Sequence, residues 1–132
     1  MKFPPDADSE TNIEFEGKEV TALAGAFNEV LHGIRVNDFD TRIGVARGEA
    51  SQLLDELIEF LASFRRGVPP RVHQGAVVSP RELFATSHAL ATALERIGFD
   101  FYPRVGVSRQ EGKALLARLR SLAPSSVDTA EP

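Results

Sequence analysis

Apolar residues recur at helical spacing in four separate stretches of the chain. In the first two stretches, apolar side chains three or four positions apart predict helices over about 18–34 and 47–64. The other two stretches open with capping boxes, Ser79-Pro80-Arg81-Glu82 and Ser108-Arg109-Gln110-Glu111. They predict one helix that runs from Ser79 towards Gly98 and another over 108–121.

The remaining sequence is polar or interrupted by proline. Residues 1–12 and 123–132 are polar and contain proline, so we interpret them as flexible tails around a single domain over 13–122. The segment Asn12-Ile13-Glu14-Phe15-Glu16 alternates apolar and polar side chains, which is typical of a short strand or of a strap lying on the core. The predicted fold class is therefore all-α, with four main helices and room for one short N-terminal strand.

Two parts of the chain resemble each other at a constant offset of 62 positions. The segment Arg42-Ile43-Gly44-Val45-Ala46-Arg47-Gly48-Glu49 aligns with Arg104-Val105-Gly106-Val107-Ser108-Arg109-Gln110-Glu111, and Phe39 aligns with Phe101. One such unit is too small to bury its own apolar face. We therefore predict an internal duplication, about 18–64 and 79–122, in which two helix–loop–helix halves share one core. The two phenylalanines should then occupy equivalent buried places.

Composition and charge favour an ordinary globular domain and disfavour several classes of site. The chain is 42% hydrophobic and 26% charged, as in ordinary globular domains, and it has no cysteine for disulfides or thiolate metal sites. Residues 1–66 carry 13 acids and 7 bases, whereas residues 67–132 carry 6 acids and 8 bases. The net charge of −4 disfavours general nucleic-acid binding. Neither a signal peptide nor a membrane span is evident, and the preference for arginine over lysine suggests a bacterial source, so we expect a cytoplasmic protein.

The repeated arginines and glycines are the first candidates for a site. Gly44 and Gly106 are expected to supply a positive φ before the second helix of each half. Arginines near those helix starts favour ion pairs with Glu49, Asp38, Asp40 or Asp100, and an anion site is the alternative. The anion or ion-pair candidates are Arg42, Arg47, Arg104 and Arg109.

Histidine and carboxylate spacing gives no catalytic or metal site. Glu29 and His32 form an E-x-x-H pair, but di-iron bundles need a second such pair and further glutamates, which the other helices lack. We place His73 in a loop and His88 in the third helix, where a packed, hydrogen-bonded histidine is the favoured interpretation. No catalytic residues, metal or cofactor are therefore predicted.

Two resemblances to known motifs bear on function. Asp40–Leu53 resembles a helix-turn-helix motif around Gly44, and the segment after Pro103 repeats it. This resemblance implies a DNA-binding regulator, whose candidate residues on helix 108–121 are Arg109, Lys113, Arg118 and Arg120. Separately, Asn28-Glu29-Val30, Gly33, Phe39, Arg42-Ile43-Gly44, Arg47 and Glu49 resemble a signature of small uncharacterised bacterial proteins, which implies no activity.

The function favoured by these patterns is a non-catalytic protein–protein interaction or regulatory module, such as an immunity partner. Its partner would be another protein, and we expect a homodimer because Phe60, Phe64 and Phe84 exceed what one small bundle covers. A DNA-binding regulator is the alternative, and a small enzyme is the third interpretation.

Overall fold

The computed structural model describes residues 11–64 and 73–122, so the predicted tail 123–132 and most of the tail 1–12 lie outside it. We call 11–64 the first half and 73–122 the second half. The first half contains β1 (Thr11–Glu16), α1 (Gly17–Asn28), a π-helical turn (Glu29–Gly33), α2 (Phe39–Ile43) and α3 (Arg47–Ser63). The second half contains β2 (His73–Val78), α4 (Pro80–Arg96), α5 (Phe101–Val105) and α6 (Arg109–Leu122).

The structure corrects the all-α prediction. It is mostly helical, but β1 and β2 pair antiparallel, with Thr11 opposite Val78 and Glu16 opposite His73. The expected N-terminal strand is present, whereas β2 was not predicted and His73 begins a strand instead of lying in a loop. Ala76-Val77-Val78 is a short apolar run without alternation, and its pairing partner is distant in sequence, so local pattern gives no sign of it.

The helix starts follow the predicted capping. At α4, the Glu82 N–H donates to Ser79 Oγ at 3.1 Å, and the Ser79 N–H donates to Glu82 Oε1 at 3.0 Å. Ser108 and Glu111 make the same reciprocal pair at the start of α6, with both bonds at 3.0 Å. Both capping boxes are therefore confirmed.

The first predicted helix is shorter than expected. Its α-helical part ends at Asn28, and a π-helical turn continues to Gly33, closed by a 2.7 Å bond from the Ile34 N–H to the Glu29 carbonyl. The Glu29 carboxylate lies against the backbone of Gly33, where a Cβ atom would collide with it. Glycine at this position therefore lets the buried carboxylate fold back against the turn.

Two short helices not predicted from the sequence join the main ones. α2 ends at Gly44 and α5 at Gly106, with φ of +97° and +103°, which confirms the positive φ expected at these glycines. Each short helix packs on the first long helix of the other half: α2 on α4, and α5 on α1. Each half therefore places its short helix on the long helix of the other half.

This exchange brings the halves into close contact and closes one apolar core. A Cβ atom on Gly25 in α1 would lie 2.7 Å from the Val105 carbonyl oxygen in α5. Phe39 and Phe101 are both buried, each in the first turn of a short helix. Of the three phenylalanines expected to exceed what the bundle covers, Phe60 and Phe64 are buried, and Phe84 is left 50% exposed.

We predict that Gly25→Ala destabilises the protein by about 1–3 kcal/mol, because the new methyl group meets backbone that side-chain motion cannot relieve. The control is Gly48→Ala in α3, where a Cβ atom has no neighbour within 4 Å. That change should be neutral or should stabilise by up to about 1 kcal/mol, because alanine favours helix. Urea unfolding measures both, and equal effects of the two substitutions would contradict the close approach of α1 and α5.

Candidate functional site

The four repeated arginines do not converge on one anion site. Arg42 in α2 lies 3.6 Å from Glu95 in α4, so this ion pair joins the two halves. Arg104 in α5 lies 3.4 Å from Asp100 and makes a shorter ion pair with the mostly buried Glu29 of the first half. These partners raise the pKa of Arg104 further above its ordinary value, chiefly through the hydrogen bond with Glu29.

Arg47 and Arg109 use a different pair of contacts. The Arg47 guanidinium lies 4.5 Å from the centre of the Phe39 ring and donates to the Leu31 carbonyl at 3.1 Å. Arg109 lies 5.6 Å from the Phe101 ring centre and donates to the Ile97 carbonyl at 2.7 Å. The carboxylate partners expected for these two arginines are replaced by backbone carbonyls at the end of the preceding long helical segment. Such carbonyls carry partial negative charge, so they favour a cationic hydrogen-bond donor.

The arginines proposed for DNA contact are only partly free. Arg118 donates to Glu19 Oε2 at 2.7 Å and to the Glu14 carbonyl, and its guanidinium lies over the Phe15 ring. Arg109 is also bound internally, so of the four candidates only Lys113 and Arg120 are exposed and lack an ion-pair or hydrogen-bond partner among residues 11–64 and 73–122. Helix α6 therefore does not present a face with four available cations.

The described residues show no grouping of side chains for metal binding. Glu29 is engaged by Arg104, while His32 is exposed. Within residues 11–64 and 73–122, no three histidine, aspartate or glutamate side chains are grouped to hold a metal ion. His88 stacks on Phe84 with ring centres 4.0 Å apart, and its Nδ1 lies 3.1 Å from the Arg42 carbonyl oxygen.

Among the described residues, the two most exposed aromatic side chains lie at one turn, which we call the aromatic turn and define as Gly98–Tyr102. The Phe101 N–H donates to the Gly98 carbonyl at 3.0 Å, which places Phe99 at the tip with 95% of its surface exposed. Tyr102 is 62% exposed, whereas Phe101 between them is fully buried. The turn therefore directs two aromatic side chains to solvent and anchors the chain with a third.

The aromatic turn is fixed on both sides by the arginines described above. Arg109 holds the Ile97 carbonyl just before the turn, and Arg104 holds Asp100 within it. A turn fixed in this way loses little conformational entropy when its side chains contact another molecule. These two contacts restrain the chain around Phe99, whose own side chain is 95% exposed.

The corresponding turn of the first half is polar. At the offset of 62 positions, Asn37 stands opposite Phe99 and Asp40 opposite Tyr102, while buried Phe39 stands opposite buried Phe101. Sequence reasoning missed Phe99 because a phenylalanine invites an assignment to the core. The signal that could have identified it is the replacement of a polar residue by an aromatic one within an otherwise similar pair of segments.

Comparison with protein-family models, with curated proteins and with solved structures finds no match to this chain. No helix in the described part of the chain is long and apolar enough to cross a membrane. Functional argument therefore rests on the geometry of the residues themselves.

We predict that His88 makes folding less favourable in acid. Burial, and secondarily the charge of Arg120, hold the pKa of His88 below its ordinary value, despite the opposing hydrogen bond to the Arg42 carbonyl. As pH falls below about 6.5, the unfolded chain takes up a proton that the folded chain resists, so the free energy of unfolding decreases. His88→Gln should make the unfolding midpoint less sensitive to pH between about 7 and 5. An NMR titration midpoint for His88 at or above that of free histidine would contradict this cause.

We also predict no measurable binding to duplex DNA at physiological salt, because within the described part of the chain only two of the four candidate cations on α6 are unpaired, and the chain carries a net charge of −4. The measurement is a gel shift at micromolar protein over a range of salt concentrations. Lys113→Glu/Arg120→Glu is the informative variant, since both side chains are exposed and their loss should leave the fold intact. A shift that weakens with added salt and disappears in this variant would favour the DNA-binding interpretation.

Proposed function

We propose that this chain is a non-catalytic protein–protein interaction module of the bacterial cytoplasm, and that the aromatic turn contacts the partner. The observation that carries the proposal is Phe99, a phenylalanine that is 95% exposed on an anchored turn. Aromatic side chains are common binding anchors in protein interfaces, because they bury a large apolar area. Tyr102, three positions after Phe99, is the second exposed aromatic residue of the aromatic turn.

The use of the polar residues supports this proposal over an enzyme. Arg42 and Arg104 pair with carboxylates, and Arg47 and Arg109 pair with carbonyls and rings. These four arginines were the candidates for an anion site, and each of them instead connects elements of the fold.

We infer further that the chain is an internal duplication. Contacts recur at corresponding positions: Lys18 pairs with Glu111 at 3.1 Å, and Arg81 pairs with Glu49 at 2.7 Å. A Cβ atom on Gly44 would meet Phe84, and one on Gly106 would meet Thr21, again at matching positions. In a duplicated fold one copy can keep a polar turn while the other changes, which is consistent with an aromatic turn in the second half alone.

The proposal is tested by placing a photo-crosslinking amino acid at position 99 and, as matched control, at position 37 of the polar turn. In the native host, irradiation should give a discrete heavier product from position 99 and little from position 37, because only the aromatic turn is expected to contact a partner. Mass spectrometry identifies the product, and a product made of two copies of this chain would establish the expected homodimer.

The variant Phe99→Ser/Tyr102→Ser checks whether the exposed aromatic side chains of the turn can be removed without unfolding the protein. Both side chains are exposed, so its thermal unfolding midpoint should stay close to that of the unmodified protein. If position 99 gives no product beyond that of position 37, the aromatic turn is not the contact surface and the proposal fails.

A further inference from the structure

We propose that the partner of the aromatic turn is a second copy of this chain, and that the two aromatic turns meet across a two-fold axis. This inference rests on the proposed function and names the partner of the same surface. It depends on two observations: the free charges beside the turn are of both signs, and the exposed aromatic residues can form the apolar centre of a small interface.

Charged residues of both halves lie beside the aromatic turn. Arg96 is in the last turn of α4, three positions before Phe99, so their Cα atoms are within about 11 Å of each other. Its Nη2 donates to the Arg35 carbonyl at 3.0 Å, which places the backbone of residue 35 against the end of α4. Asp38 follows three positions later, and Asp40 lies in α2, which packs on α4. We call Arg35, Asp38, Asp40 and Arg96 the mixed-charge edge.

The four charges of this edge are exposed, and none has an oppositely charged partner among residues 11–64 and 73–122. The Arg96 guanidinium is bound to a carbonyl oxygen, and the contact of Arg35 uses its backbone. Asp38 occupies the N-cap position of α2, but its side chain makes no capping hydrogen bond. Two cations and two anions are therefore available around the aromatic turn.

A surface with free charges of both signs is complementary to itself. In a two-fold dimer, a contact from one residue to another is repeated in the opposite direction. An arginine of one copy that lies near an aspartate of the other therefore gives two attractions. A partner with charges of one sign would instead be repelled by half of the free charges of this edge. The mixed-charge edge therefore fits a second copy better than it fits a strongly acidic or a strongly basic partner.

The exposed aromatic residues supply the apolar centre of the contact. Phe99 is 95% exposed and Tyr102 is 62% exposed. The four such side chains of a dimer can bury about 600 Å² in total, whereas stable interfaces bury about 1,200 Å² or more. We therefore expect a weak, reversible dimer, oriented by the surrounding charges. These charges act over about 8 Å at physiological salt, so the polar turn needs no direct contact with the second copy.

Sedimentation equilibrium of the purified full chain tests the dimer. As protein concentration rises from micromolar to millimolar, the average mass should rise from that of one chain towards that of two. Phe99→Ser/Tyr102→Ser should keep the mass of one chain throughout this range, because it removes the apolar centre of the contact.

Charge reversal then tests the mixed-charge edge. Arg35→Glu leaves this edge with three acids and one base, and Asp40→Lys leaves it with three bases and one acid. Each variant alone should dimerise about tenfold more weakly, because like charges then face each other across the axis. A mixture of the two variants should form a heterodimer at least as tight as the unmodified homodimer. A fluorescent label on one variant reports this heterodimer in sedimentation velocity.

The matched controls are Arg120→Glu in α6 and Asp55→Lys in α3, which make the same changes in net charge at exposed positions outside the mixed-charge edge. Neither should change the dissociation constant of the dimer. All variants are first checked for an unchanged unfolding midpoint, so that a loss of dimer is not a loss of fold.

The inference is overturned by a chain that has the mass of one copy at every concentration, by a dimer that persists in Phe99→Ser/Tyr102→Ser, or by a mixture that associates no better than its two components. If position 99 crosslinks to a different protein while the purified chain stays monomeric, the second copy is rejected and the interaction module stands. If position 99 gives no product and the chain is monomeric, both fail.

Discussion

The structure depends on the mutual covering of the two halves. α5 and its glycine corner cover α1, and α2 and its corner cover α4, so neither long helix buries its apolar face with residues of its own half alone. This exchange requires a reversal of the chain after each short helix, which Gly44 and Gly106 allow by adopting φ near +100°. The ion pairs between the halves, such as Arg42 with Glu95 and Arg104 with Glu29, connect elements placed in this way.

The sequence predicts most of what is determined locally. Helical periodicity, the capping boxes at Ser79 and Ser108, and the positive φ at Gly44 and Gly106 depend on residues within one turn of each other, and the structure agrees with them. β2 depends on β1, which is 62 positions away, so no local pattern could indicate it. The exposure of Phe99 is equally hard to predict, because composition says that phenylalanine is apolar but not whether anything covers it.

Arg47 and Arg109 show that an arginine pattern typical of a ligand site can instead stabilise the fold. A guanidinium at a helix start resembles an anion site when its own helix alone is considered. In the structure, Arg47 and Arg109 reach the carbonyl groups that end the preceding long helical segments, and each lies over a buried ring. The two guanidinium groups therefore stabilise the places where the chain changes direction after a long helical segment.

The exchange of short helices also has a consequence for biosynthesis. The ribosome delivers the chain from its N-terminus, and α1 emerges long before α5, which supplies part of its cover. The part of α1 that α5 covers must therefore remain accessible until residue 105 has left the exit tunnel, although α3 of the same half can already cover the rest. Because native contacts join positions so far apart, folding completes late, and the nascent first half is the stage most exposed to aggregation.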